Sequence, residues 1–298
     1  MDRPGWNEVK QMRRNFAQIL KDAKIDIKAE YQKLYGLLYD RSIQVSNANR
    51  ISVYDELSER FIGFYFRGTC LSLNEFNDLH NLHFEKDPTD FNIDYLVIFC
   101  EYIYNMLMAY QTAQGSFGYG FSPMMSTPIN IQFFITQINQ VMDKIGYMQT
   151  NEDGAIIFVE KSPAAIAVSE SSLIPENLSY RLISYNHYTM KGDLDAKRSV
   201  LQQLASILEA KRKNLNQADR VLENDLFYIF NNLNIRHNNV DPELKGKYKA
   251  YVEQMSNDEL EKWYDETYQM CLLAFLQIEN FVRKAEFDEL KAEIEKQQ

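Results

Sequence analysis

Proline and glycine are scarce in this chain, and the scarcity is uneven. Of 298 residues only 7 are proline and 11 glycine, and beyond position 154 the glycines reduce to Gly192 and Gly246. After Pro175 the sole proline is Pro242. Both residues punctuate regular structure, so a half with so few of them reads as long helices. Cysteine is sparse too: Cys70, Cys100 and Cys271 lie far apart, are odd in number and form no CxxC pair. This excludes a disulfide scaffold, and isolated apolar-flanked cysteines read as core residues of a reduced compartment. The 4 histidines are too few for a His-rich metal centre. Basic charge is in deficit, with 32 Lys+Arg against 42 Asp+Glu and a net charge of −10. Such a chain cannot coat nucleic acid through its overall field, so any contact of that kind needs a local patch.

Long apolar runs are also missing, with one near-exception at Ile93–Tyr110. Asp94 and Glu101 fall inside that run, and lipid penalises a carboxylate by several kcal/mol. A helix buried within a protein is the better expectation. The first residues, MDRPGWNEVKQMRRNF, lack the apolar core of a secretory signal. A cytoplasmic protein with no membrane partner is expected.

What remains is ordinary globular material, 45% apolar and 25% charged. Helical spacing runs through Val9, Phe16, Ile19, Leu20, Ala23, Ile27, Leu34, Leu37 and Leu38. Phe61–Leu73 is ambiguous between strand and helix. GYMQTNEDGAIIFVEK reads as a β-hairpin, with Asn151-Glu152-Asp153-Gly154 as its turn. Ser162-Pro163 and Gly192-Asp193 mark helix starts, and an apolar stripe continues from Val200 to Leu233, weakening at Lys211-Arg212-Lys213. Ser256 and Glu259 have capping-box spacing ahead of a final long helix, whose tail from Glu286 is charged. The fold expected is mainly α, as helical bundles with one small β-hairpin. Its segments are a helical domain over 1–145, a connector of hairpin and short helices over 146–192, and a helical bundle over 193–298.

Few motifs carry chemistry. Walker, Gly-x-Ser-x-Gly and HExxH patterns are missing, and the glycines at 115, 118 and 120 lack a βαβ context. His80 and His83 could share a helix face, yet no third ligand is marked. No metal and no cofactor is expected. The one cluster is the link after the Val200–Leu233 stripe. Arg236 and His237 adjoin there, followed by Asn238, Asn239 and Asp241, then Lys245, Lys247 and Lys249 interleaved with Tyr248 and Tyr251. Arginine can grip phosphate by two parallel bonds, and histidine can move a proton near neutral pH. Alternatively, Arg236 and His237 cap the carbonyls of a helix C-terminus.

The order of hairpin, long helices, NNLNIRHNN, irregular link and final helix resembles abortive-infection proteins of the J type. The resemblance runs from about Ile145 to Arg283 and is sharpest at Leu233-Asn234-Ile235-Arg236-His237. It implies a prokaryotic phage-defence protein with a HEPN-like C-terminal bundle, which would pair as a homodimer and act on RNA. If an enzyme, it would be a metal-independent HEPN-type endoribonuclease. Arg236 and His237 would then be the catalytic residues, and Asn238, Asn239, Lys245, Lys247 and Lys249 the RNA- or phosphate-binding ones. The family's pair is R-x(4–6)-H, and here the only histidine after Arg236 is its neighbour His237. Arg181 and His187 do have R-x5-H spacing, but ahead of the long helices. Two other readings stand beside this one: a non-catalytic dimeric interaction or sensor subunit of a defence system, and a winged-helix DNA-binding regulator using residues 129–160.

Overall fold

Most helices of this chain begin where a short polar side chain can hold the free amides of a first turn. The computed structural model describes residues 25–46, 49–116 and 129–296. The expected helix over Val9–Ala23 and most of the glycine-containing segment 115–128 lie outside the described residues. Helix α1 (Ile27–Tyr39) starts at Asp26, whose carboxylate accepts from the amides of Lys28 and Ala29. Strands β1 (Ile43–Gln44) and β2 (Arg50–Ile51) pair antiparallel, Ile43 opposite Ile51. Two residues per strand are too few to leave an alternating pattern, so this second small sheet was not legible beforehand. Helix α2 (Val53–Arg60) carries a full capping box between Ser52 and Asp55. The ambiguous aromatic segment after it forms a short 3₁₀ turn, Phe61–Gly63, and α3 (Leu73–His80) follows. Helices α4 (Ile93–Ser116) and α5 (Ile131–Lys144) complete the first half.

The chain divides into two compact units, Met1–Tyr147 and Met148–Gln298. In the first, α4 packs against α1, α2 and α5. Leu96, Val97, Phe99, Cys100, Ile103, Leu107 and Tyr110 are all buried, while Ile98, Glu101, Asn105 and Met108 leave one face of the helix only partly covered. Aromatic rings fill the space beside it: Tyr31 lies 4.8 Å from Phe99, and Phe84 also lies 4.8 Å from Phe99, centroid to centroid. Among the described residues no helix is long and apolar enough to cross a membrane.

Strands β3 (Tyr147–Glu152) and β4 (Ala155–Glu160) form the expected hairpin. Asp153 and Gly154 both have positive φ, 49° and 89°, and Asn151 Oδ1 accepts from the Gly154 amide at 3.0 Å. Positive φ at both central residues suits the right-handed twist of the strands. Helices α6 (Pro163–Ser169) and α7 (Glu176–Ser184) follow. They do not stand apart as a connector. Ala165, Val168, Leu178, Leu182 and Tyr185 enter one core with the C-terminal helices, because short amphipathic helices must bury their apolar faces somewhere.

The long stripe is broken twice. Helices α8 (Leu194–Ala210), α9 (Arg212–Ala218) and α10 (Arg220–Asn232) are separated by Lys211 and by Asp219. Asp219 leaves the helical conformation and its carboxylate takes the amides of Val221 and Leu222. A single turn, α11 (Ala250–Glu253), precedes α12 (Asn257–Lys296), which packs on α6, α8, α9 and α10. Ser256 accepts from the Glu259 amide at 3.2 Å, but Glu259 Oε1 accepts from the Tyr251 hydroxyl at 3.1 Å. The tail from Glu286 stays helical as far as Lys296. Cys70, Cys100 and Cys271 are free and buried, and burial pushes the Cys100 and Cys271 thiols up, so they stay protonated.

Candidate functional site

Helix α10 ends with its last carbonyls turned into a closed loop, and that loop carries the cationic cluster. The Leu233 amide donates to Ile229, Asn234 turns left-handed at φ 55°, and the Arg236 amide then donates to the Phe230 carbonyl at 3.0 Å. Asparagine tolerates this conformation better than most residues. The cap at this helix end is therefore the backbone of Arg236, not its side chain.

Asn239 locks the loop. The Asn234 amide donates to Asn239 Oδ1 at 2.8 Å, and the Asn239 amide donates back to Asn234 Oδ1 at 3.2 Å. Asn239 Nδ2 donates to the carbonyls of Asn231 and Lys247, at 3.1 and 2.6 Å. The Asn239 carbonyl accepts from the Lys249 amide. Asn239 is 0% exposed, so its expected part in holding phosphate is corrected: its side chain serves the backbone. Buried Ile235 adds an anchor, since Gln202 of α8 donates to its carbonyl at 2.8 Å. Asn234 also faces the hydroxyl of Tyr264 on α12.

This framework presents the charged residues. Arg236 Nη1 lies 2.6 Å from Glu209 Oε2 at the end of α8, and its side chain is 30% exposed. Its charge is thus matched by a carboxylate that sequence spacing alone could not link to it. His237 Nδ1 lies 3.0 Å from Lys247 Nζ. An ammonium can only donate, so Nδ1 accepts and the imidazole is neutral with its proton on Nε2. Desolvation lowers the His237 pKa below the ordinary 6.5, and the charges of Lys247 and Arg236 lower it further. Asn238, Lys245, Lys247 and Lys249 are exposed. The interleaved tyrosines face acids: Tyr248 donates to Glu253 at 2.5 Å and Tyr251 to Glu259. The loop therefore unites a neutral imidazole, an ion-paired guanidinium and three exposed ammonium groups.

The other candidates are drawn into local structure. Arg181 donates to Ser199 at 3.1 Å, while His187 is buried with Nδ1 at 2.7 Å from Thr189 Oγ1, starting the 3₁₀ turn Tyr188–Met190. His83 pairs with Asp78 at 3.3 Å, and His80 packs against the Phe76 ring. Among the described residues no group of three side chains could hold a metal ion.

One polar cluster escaped sequence reading. Lys197 of α8, with only 5% of its side chain exposed, lies 2.7 Å from Glu261 and 2.6 Å from Asp265 of α12. The Tyr185 hydroxyl donates to Asp265 at 3.0 Å, and the Gly192 amide to Glu261 at 2.8 Å. Burial pushes the Glu261 carboxyl up, but Lys197 and the Gly192 amide hold it below the usual carboxylate range. Every member has a partner on another element, which marks a staple between helices rather than a reaction centre. No protein-family model, no curated protein and no solved structure matches the chain.

Proposed function

We propose that the chain is a prokaryotic phage-defence protein whose loop over residues 236–249 contacts RNA, with His237 as the group that moves a proton. The observation that carries this reading is the His237 imidazole, its Nδ1 3.0 Å from Lys247 Nζ, on an exposed, cationic loop of an acidic protein. Phosphate would sit against Lys245, Lys247 and Lys249. His237 would take the proton of a ribose 2′-hydroxyl as its oxygen attacks phosphorus; the bond from phosphorus to the 5′-oxygen breaks and that oxygen takes a proton from water, leaving a 2′,3′-cyclic phosphate and a free 5′-hydroxyl end. No metal is needed for that step. The resemblance to abortive-infection proteins of the J type supplies the biological setting.

A second reading is a non-catalytic interaction subunit of a defence system, and the Arg236–Glu209 pair favours it, since a matched guanidinium grips phosphate less readily. Single-stranded RNA binding followed by fluorescence anisotropy over a salt series tests the proposal. Replacing Lys245, Lys247 and Lys249 by alanine should weaken binding and shrink the salt slope by about 0.7 per lost phosphate contact. Cleavage in the presence of a chelator should rise with pH through a midpoint below 6.5 and vanish in His237→Ala. Cleavage lost with binding retained supports the catalytic role; binding without any cleavage leaves the interaction subunit. RNA binding undiminished in the triple variant ends the proposal for this loop.

A further inference from the structure

Helix α12 has two apolar faces, and only one of them belongs to the core. Tyr264, Tyr268, Cys271, Phe275 and Ile278 are buried on one side. Every residue from Phe281 to Lys296 is exposed, so the helix leaves its bundle after Ile278. Helical stepping puts Leu273, Phe287, Leu290 and Ile294 about half a turn round from Ile278. These side chains are 47%, 55%, 50% and 52% exposed. The projecting part gains no packing from the bundle, which is where most helical stability in proteins comes from, and an exposed apolar stripe on it is a further penalty.

The stripe has heptad spacing. With Leu273 at position a, the same register puts Asn280, Phe287 and Ile294 at a and Arg283 and Leu290 at d, while Leu276, also at d, still packs partly against the core. A polar layer of Asn280 and Arg283 interrupts this seam. The flanking g positions are Glu279 and Glu286, and the flanking e positions are Lys284 and Lys291. In a parallel, in-register pair, each g residue meets the e residue five places on in its partner. Glu279 then meets Lys284 and Glu286 meets Lys291, so both contacts join opposite charges. An antiparallel pair would set Glu against Glu and Lys against Lys. Asparagine at an a position is likewise the residue that fixes register in two-stranded parallel coils. Within one chain, Lys291 already lies over the Phe287 ring at 4.6 Å, the way an e residue covers the seam.

From this pattern we infer that the end of α12 is a parallel two-stranded coiled coil with a second copy of this chain. The inference does not depend on what the 236–249 loop binds. Sedimentation of the full chain at micromolar concentration should give twice the chain mass. Leu290→Glu with Ile294→Glu should return it to the monomer with thermal melting of the bundle unchanged, because neither side chain touches the core. A Leu290→Cys variant should form a disulfide-linked dimer on mild oxidation, as a d position brings the two copies together only in parallel register. Replacing both Lys284 and Lys291 by Glu should weaken dimerisation by about tenfold or more, as should replacing both Glu279 and Glu286 by Lys; mixing the two variants should restore it. A monomeric wild type overturns the inference and leaves the stripe to another part of the same chain. A dimer indifferent to the seam substitutions, or one without the cysteine cross-link, overturns it equally.

Discussion

Asn239 is the residue on which the shape of the candidate site depends. Its side chain satisfies one amide and two carbonyls in a place closed to water, so Asn239→Ala strands three backbone groups at once. Each stranded group costs about 1–3 kcal/mol, partly relieved if the loop opens. We expect a loss of about 2–4 kcal/mol, read as a lower urea midpoint, whereas Lys245→Ala on the exposed rim should shift it by less than about 0.5 kcal/mol. In sequence, Asn238 and Asn239 are indistinguishable polar neighbours; one is exposed and the other sealed. Nothing in composition separates them, because the difference comes from the left-handed turn at Asn234 that folds the chain back. The pairing of Arg236 with Glu209 was hidden for the same reason: it joins two helix ends that only tertiary packing brings together.

Elements were legible where the signal was local. The Asp153-Gly154 turn, the Ser162-Pro163 start and the Asp193 cap all follow from chemistry within four residues, and all are present. The break at Asp219 was not legible, because Leu215, Ala218, Leu222 and Leu226 keep helical spacing straight across it. Glu259 shows the limit from the other side: its spacing suited a capping box, yet its carboxylate takes the Tyr251 hydroxyl. The staple between α8 and α12 also exceeds local signals, and it sets a condition on stability. The Glu261 pKa lies below its ordinary 4.5 in the folded chain. Its contribution is therefore complete above the unfolded value and is lost as pH falls through the lower folded one. Lys197→Met should lower stability near neutral pH by about 2 kcal/mol, since two carboxylates lose their common partner. It should also flatten the fall in stability on acidification, measured as urea midpoints across the acid range.

On the scale of the whole molecule, the second unit has a core drawn entirely from its own residues, from Ala165 to Ile278. Residues 148–298 expressed alone should therefore unfold cooperatively in urea and keep their helical circular dichroism; a non-cooperative, noisy transition would show that the division at Tyr147 is not one of stability. Tyrosine is abundant in both units, and its placement sets an alkaline limit. Tyr31, Tyr39 and Tyr102 in the first unit, and Tyr185 and Tyr268 in the second, are held above the ordinary phenol value, mainly by burial. A phenol that ionises more readily when unfolded than when folded draws the chain open as base is added. The stabilisation is intact below the ordinary value of 10.0 and drains away above it. The rings that fill both cores thus give the protein a ceiling in base, reached in each half by its own phenols.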